Sequence, residues 1–395
     1  MNIGATIEAA NSHAMSYPRF LCWLFGSIVA LTSLVLAFVW VVDPYGVSPI
    51  RVTLQGVNAL KPKRLDIDRL IKPYEVWRYQ PQTVFLGTSR VHQSIDPAVL
   101  DRTRFAPAYN ASIPAGSLSM NISHLEQYLK LDYNLRTVVV ELFLYNFLGQ
   151  HQDRKQKTWS EFVGDSVTLL GSANALLDSV STLAHNTLDG RQTYEISRLG
   201  YFHYPPGHNA KGPFDGFPAG IWSIHSRAGG KLKLHDPAFD TVRDLAALAR
   251  ARNLEMIFIA TPNHAYFDYY VDALDAWGLV EDWLTRLTKQ VIVYSFSQPN
   301  AWVYEPVRPS MEYWNDPFHF SLKMGYGIQA SLAGQSSAGL PQDFLVRLTP
   351  DLVPAHVEQR RQAVRHWAQE NQAFVASFED ERQKWLATQS ASASR

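Results

Sequence analysis

Cysteine is almost absent from this chain of 395 residues, with Cys22 the only one. That excludes an intramolecular disulfide, a cysteine-based structural zinc site and CxxC redox chemistry. Cys22 lies in an apolar run, where a thiol behaves as a small hydrophobe. An excess of charge is missing too. The 36 basic side chains are matched by 36 acidic ones, which leaves no global footprint for a phosphate backbone, so nucleic acid is not an expected partner. Charged residues make up 18% and hydrophobic residues 46%, enough apolar surface for a substantial core and too much for a disordered chain. The 13 histidines are scattered, with no HxH, HExxH or DxDxDG pattern, and there is no GxGxxG or Walker loop. No metal or other cofactor is therefore expected.

Long hydrophobic runs are also scarce, and the single one is informative. Residues 20–42 form 23 positions without a charge, ending at Asp43-Pro44-Tyr45-Gly46. At about 1.5 Å per residue such a helix crosses a hydrocarbon core of about 30 Å. It is longer than the h-region of a signal peptide, and no small-x-small cleavage site follows it, so an uncleaved single-pass anchor is expected behind a short tail, 1–19. Trp23, Trp40 and Tyr45 lie towards its ends, as an aromatic belt would. Only Arg19 precedes the span on the basic side, whereas Arg51, Lys61, Lys63 and Arg64 follow it. Taken literally the positive-inside rule favours a cytoplasmic body, but long domains translocate largely regardless of loop charge.

From residue 47 onward the pattern is that of a soluble α/β domain, expected over 47–345. A helix over 66–79 leads to a short buried strand at 83–86, which runs into Gly87-Thr88-Ser89-Arg90. A strand is expected at 105–109, before Asn110-Ala111-Ser112-Ile113-Pro114-Ala115-Gly116 and a helix carrying Leu118, Ile122, Leu125, Tyr128 and Leu129 on one face. Val138-Val139-Val140-Glu141-Leu142 is β-branched and continuous, as strands buried on both faces are. A helix at 240–252 and strands at 254–260 and 291–294 continue the alternation, which predicts a parallel sheet flanked by helices. The pattern breaks over about 150–235, an insertion with a helix at 172–185 and an aromatic stretch at 200–230. Near the C-terminus, Val353, Val357, Val364, Trp367, Phe374, Phe378 and Trp385 form a helical stripe, expected as one helix over 350–387 laid on its own domain, with 388–395 a frayed tail.

Two distant motifs are complementary in chemistry: Gly87-Thr88-Ser89-Arg90 at a strand end and Asp316-Pro317-Phe318-His319 late in the domain. A neutral hydroxyl is a poor nucleophile, so Ser89 needs a base such as His319, and an imidazole needs a carboxylate such as Asp316 to hold its tautomer. Each motif also has a plain reading: an ordinary turn for the first, and a helix start with Asp at N-cap and Pro at N1 for the second. His264 competes as a base, although a histidine beside a strand end is usually a packing residue.

This arrangement resembles the SGNH/GDSL hydrolase superfamily, in which a nucleophilic Ser follows the first strand, a Gly the second, an Asn the third, and a DxxH comes late. The resemblance covers roughly residues 80–335 in scattered blocks. It implies a flavodoxin-like parallel sheet, with Ser89 as nucleophile, Gly116 as oxyanion glycine, and Asp316 and His319 as the DxxH pair. The first block reads GTSR instead of GDSL, similar to divergent membrane-anchored members of the DltD and exopolysaccharide O-acylation type. The GxND block is absent, so the oxyanion asparagine is either Asn146, after the Val138 strand, or Asn263 in Thr261-Pro262-Asn263-His264. The function implied is a serine esterase or O-acyltransferase anchored in the inner membrane, with its catalytic domain periplasmic. It would act on an envelope polysaccharide or lipid-linked glycan, alone or with a membrane-bound acyl-transfer partner. Tyr204 and Trp222 belong to an aromatic stretch of the insertion that either stacks on a sugar, as a platform or lid, or is simply a well-packed irregular segment. The alternative is a non-catalytic accessory or glycan-binding module of an envelope assembly.

Overall fold

The computed structural model describes residues 17–48, 52–131, 133–148, 169–189, 195–203, 214–227, 230, 232–335 and 339–393. In chain order the elements are α1 (Tyr17–Val42), α2 (Asp68–Tyr79), β1 (Thr83–Leu86), α3 (Ser89–Ser94), β2 (Ala108–Asn110), α4 (Leu118–Tyr128) and β3 (Thr137–Glu141). Helix α5 (Ala173–Ala184), the small hairpin β4 (Glu195–Ile196) and β5 (Phe202–His203), and α6 (Phe217–Arg227) belong to the insertion. There follow α7 (Asp236–Arg252), β6 (Glu255–Ala260), α8 (Ala265–Ala273), α9 (Trp277–Thr288), β7 (Val293–Ser295), α10 (Leu322–Leu332), β8 (Val346–Leu348), α11 (Val353–Glu370) and α12 (Gln372–Ala393). Two compact units result, one from 1–67 with 160–193 and one from 68–159 with 194–395. The expected single body from residue 47 is therefore divided: 47–67 and the helical part of the insertion group with the apolar helix.

In the first unit, α1 has a mean hydropathy of 2.4 and is long and apolar enough to cross a membrane. Its end is tied off locally. Lys61 Nζ donates to the carbonyls of Val42 (2.8 Å) and Asp43 (2.6 Å), placing a cation at a helix C-terminus, where the dipole favours it. The Asp43 carboxylate accepts from the N–H groups of Val47 (2.9 Å) and Ser48 (3.1 Å). Part of the basic stretch after this apolar helix is thus used in capping.

The second unit is built on a six-stranded sheet in the order β2-β1-β3-β6-β7-β8, parallel except for β8, which runs antiparallel to β7. With the hairpin strands left aside, the parallel strands follow the 2-1-3-4-5 order of a doubly wound fold, whose crevice opens at the carboxyl ends of β1 and β3. Strands β1 and β3 are buried at every position, which is why they read as continuous apolar runs. The strand expected at 105–109 begins only at Ala108: Thr103 turns the chain by accepting from Phe105 N–H on its hydroxyl and from Ala106 N–H on its carbonyl, and Pro107 has no N–H to give.

The C-terminal stripe does pack on its own unit, but as two helices. Asn371 ends α11, and α12 continues to Ala393, so 388–393 is helical where a frayed tail was expected. Helix α11 is clamped to α8 by the buried Arg360–Asp268 pair at 2.7 Å, and Tyr304 donates to the same carboxylate at 2.8 Å. Trp222 of α6 is turned into this packing, 2% exposed and stacked on Trp385 of α12 with centroids 5.2 Å apart. It is a core residue and offers no face to a sugar, which corrects the expectation of a stacking platform. Tyr204 lies outside the described residues.

Five histidines are buried in this unit, each held below its ordinary pKa by burial, and they make it acid-sensitive. Burial lowers His264 and His124 to about 4 and His356 to about 3, and holds His92 well below its ordinary value. Between those values and 6.5 the unfolded chain binds more protons than the folded one, so stability falls as pH drops through that window. Each withheld pKa unit corresponds to about 1.4 kcal/mol. The thermal unfolding midpoint of the solubilised protein should therefore fall by several degrees between pH 6.5 and 5; a flat profile over that range would show these imidazoles are not neutral and buried.

Candidate active site

The loop after β1 is the anchor of the site. Thr88 caps α3 by accepting from Arg90 N–H, and the next residue, Ser89, opens that helix. Gly87 is required by a close approach, since a Cβ there would stand 2.8 Å from Glu141 Oε2 and 2.8 Å from Val91 Cγ2. From the far end of the chain, α10 packs on α3 through another glycine. A Cβ on Gly325 would collide with the Ser94 carbonyl, and Ser94 Oγ donates to Phe320 O. These contacts bring the 316–319 turn over Ser89.

Ser89 Oγ lies 2.8 Å from His319 Nε2, and His319 Nδ1 lies 2.7 Å from Asp316 Oδ2. The other carboxylate oxygen, Oδ1, accepts from the N–H groups of Phe318 (2.8 Å) and His319 (2.9 Å). Burial pushes the Asp316 carboxyl up, but the hydrogen bond and charge of His319 and these two amides hold it below its ordinary value. It therefore stays an acceptor, His319 Nδ1 carries the proton, and Nε2 is left to accept from Ser89. The segment is a turn, with His319 N–H donating to Asp316 O at 3.2 Å. Helix α10 starts later, under Ser321, so Asp316 is not its N-cap.

Beside this chain lies a cavity of about 290 Å³, lined by Ser89, His319, Gly116, Asn146 and an apolar wall of Phe143, Tyr145, Ile224 and Phe318. Asn146 stands on the 3-10 turn Leu144–Phe147 after β3. It is 8% exposed, and its Nδ2 has no partner among the described residues. Asn263 is not among the residues lining this cavity; its Oδ1 accepts from Arg90 at 3.1 Å. Gly116 reaches the cavity, but its N–H donates to Ile113 O at 2.9 Å, so it is not a free oxyanion donor as expected. Among the described residues, Asn146 Nδ2 has no partner, and Ser89 N–H, at the start of α3, has none within its own helix. His264 is fully buried as the N-cap of α8, accepting from Tyr266 N–H on Nδ1 and donating from Nε2 to Glu305 O. It takes no part in the site.

Beneath the loop that carries Ser89 is a buried network with no sequence motif of its own. Glu141, at the end of β3 and fully buried, accepts from Thr88 N–H (2.7 Å), Thr88 Oγ1 (2.8 Å) and Thr261 Oγ1 (2.8 Å). Arg90 Nε lies 3.9 Å from its Oε1. The guanidinium also donates to Asn263 and Pro262 O, and sits 4.3 Å over the Phe143 ring. Burial lowers Arg90 to about 10, with Glu141 and Asp316 opposing that fall, so it remains a cation at neutral pH. A glutamate closing an otherwise apolar strand was the one local signal for this network.

The class defined by fold and site is an α/β protein that presents a Ser-His-Asp hydrogen-bonded chain at the carboxyl ends of parallel strands. No family model, curated protein or solved structure matches the chain.

Proposed function

We propose that this chain is a membrane-anchored serine esterase or O-acyltransferase of the SGNH type. The observation that carries the reading is the Ser89–His319–Asp316 chain, joined at 2.8 and 2.7 Å across 230 residues of sequence. Ser89 Oγ attacks an acyl carbonyl as its proton passes to His319 Nε2, and the carbonyl oxygen becomes an oxyanion. Its fall-back expels the alcohol, which takes the proton from His319 and leaves an acyl-serine. Water or a sugar hydroxyl then reverses the sequence, released as acid or ester. Asn146 Nδ2 and Ser89 N–H supply the oxyanion donors. Asn146→Ala should lower kcat on a p-nitrophenyl ester by about 10²- to 10³-fold, whereas Asn263→Ala should leave kcat within about tenfold. The reverse ranking would move the oxyanion donor to Asn263.

The engaged Gly116 N–H is the one observation favouring a non-catalytic glycan-binding module. Two remaining donors and an intact proton path outweigh it. The anchor places the domain near a surface, so the acceptor is an envelope polysaccharide or lipid-linked glycan within reach of the inner membrane, supplied directly or by a membrane-bound acyl-transfer partner. The side is extracytoplasmic, with 1–19 cytoplasmic. The deciding experiment is fluorophosphonate labelling of the detergent-solubilised full chain, with the adduct mapped to the Ser89 peptide. Absence of labelling, with a folded protein, would favour the accessory module. Reporter fusions after Gly46 and at the C-terminus that are active only in the cytoplasm would reverse the topology.

A further inference from the structure

Helix α5 is built inside out. At 3.6 residues per turn, Ala175, Ser179 and Thr182 share one side, and all three are buried; Asn186 extends that side into the π-helical turn His185–Asp189. Two of its inward polar side chains, Ser179 and Asn186, are satisfied within the unit, while Thr182 Oγ1 has no partner among the described residues. Ser179 Oγ donates to Ala175 O at 2.6 Å, and Asn186 exchanges hydrogen bonds with both the N–H (2.9 Å) and the carbonyl (3.0 Å) of Leu60. The opposite side carries Leu177, Val180, Ala184 and Leu188, spaced by three and four. Leu177 is 67% exposed, Val180 52% and Leu188 86%. A helix on a water-facing surface shows the reverse arrangement, apolar inward and polar outward.

The rotation of α5 is fixed by its own unit. Tyr45 OH donates to Asp178 Oδ2 at 2.7 Å, and Lys63 Nζ lies 3.6 Å from Asp178 Oδ1. The helix packs against α1, whose only buried residues are Val39 and Val42 in its last turns. At that same end Trp40 and Val41 stay exposed at 46% and 50%. Helix α5, with its exposed apolar side, is thus held in the same unit as the end of α1 where apolar side chains are still exposed. Three large side chains fall well short of the roughly 800 Å² per partner that a stable protein interface buries.

We propose that α5 is an interfacial membrane helix, with Leu177, Val180 and Leu188 immersed at the headgroup boundary of the bilayer that α1 crosses. The unit then holds the membrane by a span and a monotopic contact, and a second contact opposes rotation of α1 about its own axis. The inference rests on α1 being a span, and is independent of any reaction at Ser89.

The test uses the full chain in phosphatidylcholine–phosphatidylglycerol vesicles, with Cys22→Ala as background and single NBD-labelled cysteines from Val180→Cys, Leu31→Cys in mid-span and Arg243→Cys as a water control. Thermal unfolding checks that each variant is folded. The expected result is strong quenching at position 180 by shallow doxyl lipids, at 31 by deep ones, and several-fold slower iodide quenching at both than at 243. Iodide access at 180 equal to that at 243, with 31 still lipid-quenched, overturns the interfacial helix alone; access at both 180 and 31 overturns the span as well. Protection at 180 without lipid quenching means that a second copy covers this side, and that also overturns the proposal.

Discussion

Ser89→Ala should abolish fluorophosphonate labelling and lower ester turnover on the order of 10⁴- to 10⁶-fold, while the thermal unfolding midpoint moves by no more than a few degrees. The hydroxyl stands half-buried at the mouth of the cavity, with His319 Nε2 as its hydrogen-bond partner, so little packing is lost with it. His319→Ala should cost about as much, and the double variant little more than either single one, because both groups serve one proton transfer. Additive losses would instead assign the two residues to separate steps. Asp316→Asn removes the acceptor that holds the Nδ1 tautomer and should cost roughly 10⁴-fold. Asp316 itself has a folded pKa lowered below 3.8, so its stabilising contribution is present above that value and lost as pH falls through the folded one.

The parts of this site that could be read in advance are those with local signatures. Ser89 follows a four-residue buried strand, and Asp316 and His319 are three apart, so chain order and spacing carried them. Asn146 was legible only as the polar residue nearest the end of β3; choosing it over Asn263 needed the cavity lining, which includes Asn146 and not Asn263. The partner of Gly116 N–H is set by the Ile113–Gly116 turn, whose geometry four common residues do not announce. The sheet was legible where strands are buried on both faces. Strand β8, three residues at an edge with exposed Arg347 between Val346 and Leu348, has no such run. The insertion misled for a physical reason. Its apolar residues do not share one environment: Trp222 is core, whereas Leu177 and Val180 face outward. Hydrophobicity alone does not distinguish a protein interior from another apolar surrounding.

The second large effect is expected from Glu141, which touches none of the reacting atoms. Its carboxylate is fully buried and holds the loop that presents Ser89 by three hydrogen bonds, two from Thr88 and one from Thr261. Glu141→Ala leaves those donors unpaired and strands the buried Arg90 cation, and removing one partner of such a pair costs about 3–5 kcal/mol. Glu141→Gln keeps the shape but not the charge, so it should cost less. Arg90→Met should also destabilise, by leaving Asn263 and the Pro262 carbonyl without their donor and the carboxylate without its cation. The combination Glu141→Gln with Arg90→Met should be more stable than the sum of the single losses predicts, because neither partner is then left charged and unpaired. Chemical denaturation of the four proteins measures that coupling, and strict additivity would mean that the 3.9 Å approach carries no interaction. Kinetics separate the positioning role from the stabilising one. Well below the unfolding midpoint, Glu141→Gln should lower kcat with KM nearly unchanged, since the oxygen that must attack is misplaced by a loosened Thr88 turn while the cavity walls stay where they are. A fall in stability with kcat intact would reduce Glu141 to a strut of the sheet.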